Sequence, residues 1–258
     1  MDGHNLAESL FRWLHVVAGI LWIGLLYFFN FVNSAFAPTM DGDTKKKVVP
    51  QLMPRALFWF RWGAAFTWVS GVLLLVMVFY IGVKGGDPAI ADPNLKVWTT
   101  MMGLGVAFVF LGVLVYDILM KTALKKPPLQ FWVGLALACL SVWLFKNVFQ
   151  FSIRATMIHL GAMFGTIMAF NVWFRIWPSQ QKIITAIRDG QPPDPAAVGL
   201  AGSRSKHNTY MSVPLVFTML NAHNIWAYEC EYILMAVVLV GWAATFLLYK
   251  KAAKVQGF

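Results

Sequence analysis

Six apolar runs, each close to or above the roughly 20 residues a helix needs to cross a bilayer, govern what this chain can fold into. They occupy 10–33, 57–82, 97–119, 129–148, 152–176 and 226–249. A shorter run at 209–223, interrupted by Pro214, is read as one more span. In lipid every backbone N–H and C=O must be satisfied within its own segment, so such runs become helices. The expected fold is all-α, a polytopic membrane helix bundle of about seven transmembrane helices. Composition agrees, with 59% hydrophobic and 12% charged residues against about 25% charged in a soluble domain. A disordered tail, a coiled coil and a water-soluble globule are excluded. Twelve Trp and 21 Phe suit the aromatic girdles of lipid–water interfaces.

The net charge of +10 is a topology signal. Lys45, Lys46, Lys47, Arg55, Lys121, Lys125, Lys126, Lys250, Lys251, Lys254 and the five basic residues of 175–208 fall on one side, and only Lys84, Lys96, Lys146 and Arg154 on the other. Cytoplasmic loops carry the excess of Lys and Arg, so the N-terminus is expected outside and the C-terminus in the cytoplasm. This alternation requires 209–223 to span. Nucleic acid is not an expected partner; the lipid bilayer is. Met1–Ser9 holds Asp2 and Glu8 but no Lys or Arg, which does not suit a cleavable signal peptide. Residues 1–258 read as a single membrane-integral domain. Within it, 178–208 reads as a cytoplasmic loop, with an interfacial helix after Pro178 (Ile183, Ile184 and Ile187 at helical spacing) and a linker at 189–195. Cys139 and Cys230 form neither a disulfide framework nor a CxxCH haem-attachment motif.

Five histidines carry the chemistry: His4, His15, His159, His207 and His223. An ionisable residue inside a span is costly and marks a functional site by default. His15 lies about five residues, roughly 8 Å, below the outer end of the first span, and His159 about eight residues, roughly 12 Å, below that of the fifth. Two histidines at similar depth on different helices suit bis-imidazole ligation of the iron of a haem b. Gly19 and Trp22 share the His15 face, leaving room for a ring and an aromatic to stack on it. Ala155, Ala162 and Thr166 flank His159 as a small-residue groove. Arg12 and Arg154, at the outer interface, are placed to pair with propionates. Blander readings stand beside these. Either histidine can be a core residue bonded to a helix carbonyl, Gly161-xxx-Gly165 a helix-packing motif, and the two arginines interfacial anchors. Asp117 pairs with Lys121 one turn away. His207 and His223 would ligate a second haem only if the sixth span bends.

The runs HVVAGILWIGLLYFFN (15–30), RATMIHLGAMFGTIM (154–168), NVWFRIWPSQ (171–180) and HNTYMSVP (207–214), followed by His223, resemble the membrane domain of the bacterial urate hydroxylase (cytochrome c-dependent urate oxidase) family. The resemblance covers almost the whole chain. It implies a multi-pass protein of the bacterial inner membrane that oxidises urate to 5-hydroxyisourate and passes electrons to a c-type cytochrome. The family's C-terminal cytochrome c domain, with its CxxCH, is absent from these 258 residues. A separate c-type cytochrome or other redox subunits are therefore the expected partners. His15 and His159 are then the expected metal ligands, and His223 and Asn208 candidates for substrate or proton handling. Two other readings remain at this point. One is a copper-handling membrane protein using His15, His159, His223 and methionines, although Cu(I) favours clustered sulfur and no MxxM or MxM occurs among the candidates. The other is a subunit of a larger respiratory complex, structural or cofactor-bearing.

Overall fold

The computed structural model describes residues 3–81, 100–124, 126–221 and 230–255. Among them are seven helices and no strands: α1 (Gly3–Thr39), α2 (Gly42–Tyr80), α3 (Thr100–Lys121), α4 (Pro127–Trp143, running on through a π turn to Val148), α5 (Ile153–Arg188), α6 (Pro195–Leu220) and α7 (Glu231–Ala252). Six are long and apolar enough to cross a membrane. The seventh, α6, has 26 residues, about 39 Å at 1.5 Å per residue; it is as long as a span but more polar.

Two segments expected as loops are helical. Residues 34–56 belong to α1 and α2, and the turn between them shrinks to Met40–Asp41. Asp41 makes this possible by capping α2. Its Oδ1 accepts the Thr44 amide at 2.7 Å and its Oδ2 the Thr44 hydroxyl at 3.0 Å. Those bonds, the amide's foremost, hold the Asp41 carboxyl below the usual carboxylate range. The loop read over 178–208 shortens to 189–194. α5 continues through a π turn at Val172–Ile176 to Arg188. α6 opens at Pro195, with Asp194 accepting the Ala196 amide at 2.9 Å. His207 and Asn208, expected at the mouth of a span, thus lie in mid-helix. The cause is pairing: Arg204, Ser205, His207 and Asn208 each find a hydrogen-bond partner in another helix.

α5 is the central helix and buries more of its length than any other span. α1 packs along α2, α6 packs on α5 and α7, and α3 on α5. At the α5–α6 contact, a Cβ on Gly161 would lie 2.8 Å from Met219 Cε and would overlap the Thr218 hydroxyl. Glycine is required there, and the GxxxG acts in helix packing. The outward faces are apolar, with Trp13, Ile20, Leu111, Ile118, Val240 and Leu247 all exposed, as contact with lipid demands.

Candidate functional site

A cavity of about 760 Å³ opens between α1, α2, α5 and α6. Arg12 and Arg154 line it, as do His15, Gly19 and Trp22, and Tyr27 fifteen residues further along α1, about 22 Å from Arg12. His15 Nδ1 lies 2.9 Å from the Thr67 carbonyl oxygen and 3.2 Å from Ser70 Oγ. A carbonyl only accepts, and Ser70 already donates to the Phe66 carbonyl. Nδ1 therefore carries the hydrogen, and Nε2 keeps its lone pair with no hydrogen-bond partner among the described residues. Gly71 backs the ring: a Cβ there would stand 2.9 Å from His15 Cε1 and 3.3 Å from Nδ1. Spacing along α2 gave no hint of this glycine's role.

Two buried donors of the lining stand without partners. Trp22 is 1% exposed and its Nε1–H has no partner; the Nε–H of Arg154 has none either. The Arg154 guanidinium lies 5.5 Å from the centre of the Phe79 ring. Arg12 is steadied by Glu8, whose Oε1 takes Nε at 2.8 Å and Nη2 at 2.7 Å.

His159 does not reach this cavity. α5 turns Ile158, Gly161, Ala162, Gly165 and Thr166 toward it, a face centred roughly 90° from His159 at 100° per residue. Both His159 nitrogens are used. Nδ1 donates to the Ala155 carbonyl at 2.7 Å and Nε2 accepts from the Tyr80 hydroxyl. The ring is wholly buried among Phe79, Phe145 and Phe151, the last at 4.4 Å between centroids. Phe79 also lines the cavity and so stands between the two histidines. Of the groove expected beside His159, Ala162 and Thr166 do line the cavity, while Ala155 serves as the acceptor for Nδ1. His223 lies outside the described residues.

Asn208 is also away from the cavity. Its Nδ2 donates to the Met168 carbonyl at 3.0 Å and its Oδ1 accepts from Asn171 Nδ2 at 2.9 Å. It belongs to a second polar region that the sequence did not suggest. Gln130 Nε2 donates to the Leu124 carbonyl at 2.7 Å, which turns Gln130 Oε1 toward His207 Nε2, 3.0 Å away. That nitrogen must carry the hydrogen, so His207 Nδ1 accepts the Tyr116 hydroxyl at 2.8 Å. Tyr116 in turn accepts from Asn171 Nδ2 at 3.1 Å. Beside this chain sits Asp117. The expected Lys121 contact is present at 2.9 Å, but Arg175 of α5 and Arg204 of α6 bind the same carboxylate, Arg204 at 3.0 Å and Arg175 through Nε at 2.9 Å. No spacing in the sequence links these helices.

Among the described residues no group of three or more His, Cys, Asp and Glu is placed to hold a metal ion. His15 lines the cavity and His159 does not, so the two histidines do not share that site. The fold and site define a polytopic helical membrane protein with an apolar cavity, open in part to the outward face, beside a histidine of fixed tautomer. A family model described as urate oxidase N-terminal matches residues 41–256, and the chain belongs to that family. The matched range begins after α1, which carries His15. No curated protein and no solved structure matches the chain.

Proposed function

We propose that this chain is a membrane oxidoreductase or electron-transfer subunit related to urate oxidation, and that the cavity under Arg12 and Arg154 takes one haem b with His15 as its protein ligand. The observation carrying this reading is His15 itself, with one nitrogen fixed on Thr67 and the other free within an apolar cavity. Metal-bound histidines are oriented by such a bond from the second nitrogen to a backbone carbonyl. The volume falls within the roughly 300–1,000 Å³ of cofactor sites. Two arginines and an unpartnered tryptophan N–H suit a flat apolar ligand that carries carboxylates at one end. A haem b held there supplies one-electron storage between a reduced substrate and an acceptor.

The chain's own residues do the rest. Thr67 keeps the His15 lone pair on Nε2, Arg12 and Arg154 neutralise carboxylates at the mouth, and Trp22 and Phe79 keep water from the inner wall. The excess of Lys and Arg in the opposite loops supports a mouth at the outer face of the bacterial inner membrane, and a c-type cytochrome there would take the electrons. Urate is the substrate that the family suggests. His223 remains the candidate proton acceptor on sequence grounds.

The test is a reduced-minus-oxidised spectrum with a pyridine haemochrome assay on the purified protein. One b-type haem per chain is expected, together with urate-dependent reduction of a soluble cytochrome c, and a colourless protein overturns the proposal. Gly71→Ala is expected to weaken haem retention roughly tenfold, since overpacking costs about 1–3 kcal/mol and here displaces the ligand ring. Unchanged haem content in that variant would show that the ring's position is not what retains the haem.

A further inference from the structure

Arg61 is a cation set within the α2 span and has no anion beside it. Among the described residues Arg12, Arg175, Arg188 and Arg204 each meet a carboxylate, and Arg61 meets none. Its Nε–H donates to the Leu57 carbonyl at 3.3 Å, and its two terminal nitrogens have no acceptor among the described residues. An uncompensated arginine in a membrane segment is costly and marks a use.

The guanidinium is nevertheless held still. Its central carbon lies 3.6 Å from the centre of the Trp177 ring and 5.4 Å from that of Trp173. Trp173 is fixed in turn, its indole N–H donating to the Arg61 carbonyl at 3.1 Å. A guanidinium laid on an indole face is attracted by the ring and keeps its in-plane N–H fork free, the geometry that takes two oxygens of a phosphate. An arginine that only reaches for water gains nothing from such fixing, which costs side-chain entropy.

Position says what the anion belongs to. Trp177 follows Arg154 by 23 residues along α5, about 34 Å at 1.5 Å per residue. A hydrocarbon core is about 30 Å thick, so Arg154 and the Arg61–Trp177 pair lie near opposite surfaces of it. Arg61 is partly exposed there. Beside it the exposed Trp62 meets Trp173 edge to face at 5.6 Å and the exposed Phe66 at 5.8 Å. Phe66 lies between Arg61 and the Gly71–His15 contact, on the hydrocarbon side of the guanidinium. The water side is basic: α2 carries Lys45, Lys46, Lys47 and Arg55 against Asp43, and Trp177–Arg188 carries Lys182 and Arg188 and no acid. A zwitterionic headgroup would bring its ammonium into this positive field, whereas a net-negative one would not.

We propose that Arg61, held on Trp177 and Trp173, binds the headgroup phosphate of an anionic phospholipid whose acyl chain lies along Trp62 and Phe66. The site is separate from the His15 cavity and does not depend on the function proposed for it.

The experiment is native mass spectrometry of the full chain in detergent, titrated with phosphatidylglycerol or with phosphatidylcholine of the same acyl chains. The first phosphatidylglycerol is expected to bind about tenfold more tightly than the first phosphatidylcholine, the worth of one hydrogen bond to a charged group. Arg61→Gln is expected to remove that preference. Trp177→Leu keeps the charge but loses the stack, and should weaken phosphatidylglycerol about threefold, the worth of a cation–π contact; it decides the matter if Arg61→Gln does not fold. Arg55→Gln, at an exposed arginine bonded to Gln51, should leave the preference unchanged. Equal binding of the two lipids by the wild type overturns the proposal, as does a preference that Arg61→Gln and Trp177→Leu both retain. A loss in Arg55→Gln as large as in Arg61→Gln would replace the site by diffuse attraction to a basic surface. Displacement by an equal concentration of inorganic phosphate would make the ligand a soluble anion, and either result overturns the proposal.

Discussion

Replacing His15 by alanine is expected to abolish the b-type haem signal, whereas replacing His159 by phenylalanine leaves it at the wild-type amplitude. Their places in the sequence give the two residues similar depth, but their nitrogens differ in availability. His15 spends one nitrogen on Thr67 and leaves the other in the cavity. His159 spends both, on Ala155 and Tyr80, and faces a cluster of phenylalanines. Phenylalanine keeps the ring volume at 159 and avoids a cavity that would cost about 2–5 kcal/mol in a core. Haemochrome titration of the two purified variants reads the outcome directly. Equal loss of haem in both, with both folded, would restore the bis-histidine pairing and imply that α5 rotates when the haem binds.

The largest effect on stability is expected at Asp117. Its carboxylate is the common acceptor for Arg204, which is 2% exposed, for the partly buried Arg175, and for the exposed Lys121. Arg204 already has one nitrogen, Nη1, without a partner. Asp117→Ala would leave a buried guanidinium with no counter-charge. Breaking a buried pair from one side costs about 3–5 kcal/mol, so a loss near 3 kcal/mol or more is expected in reversible unfolding from mixed micelles. Lys121→Ala, which removes only an exposed partner, should cost less than about 1 kcal/mol. Adding Arg204→Met to Asp117→Ala should recover part of the loss, because the uncompensated charge goes with it. A cost at Asp117 no greater than at Lys121 would mean that Arg204 is solvated by water, and that the carboxylate is not its anchor.

The helices were legible in the sequence because lipid leaves a spanning segment no other backbone conformation, and seven helices are present among the described residues. The helical hairpin at Asp41 and the start of α6 were not legible. Hydropathy treats polar residues such as Arg204, Ser205 and Asn208 as loop, although each has a partner waiting in another helix. Ser205 takes a hydrogen bond from Asn30 at 2.8 Å, and Asn30 in turn accepts from Tyr249 at 2.8 Å. Such pairing is a property of three helices together and has no signature in any one of them.

The candidate site divides in the same way. His15, Arg12, Arg154, Gly19 and Trp22 were legible as one set: four share the first span, and Arg154 lies at the matching interface. All five line one cavity. Gly71, Thr67 and the chain from Gln130 to Asn208 were not legible, since they depend on which face α2, α4 and α6 turn inward.

By itself the sequence determined the class of fold and the number of helices, because a bilayer dictates segment length. The tertiary structure alone decided azimuth. It brought His15 to the cavity, turned His159 into a phenylalanine cluster, and gathered Asp117, Arg175 and Arg204 from three helices. Rotation about a helix axis is set by side-chain packing between neighbours, which no single segment encodes.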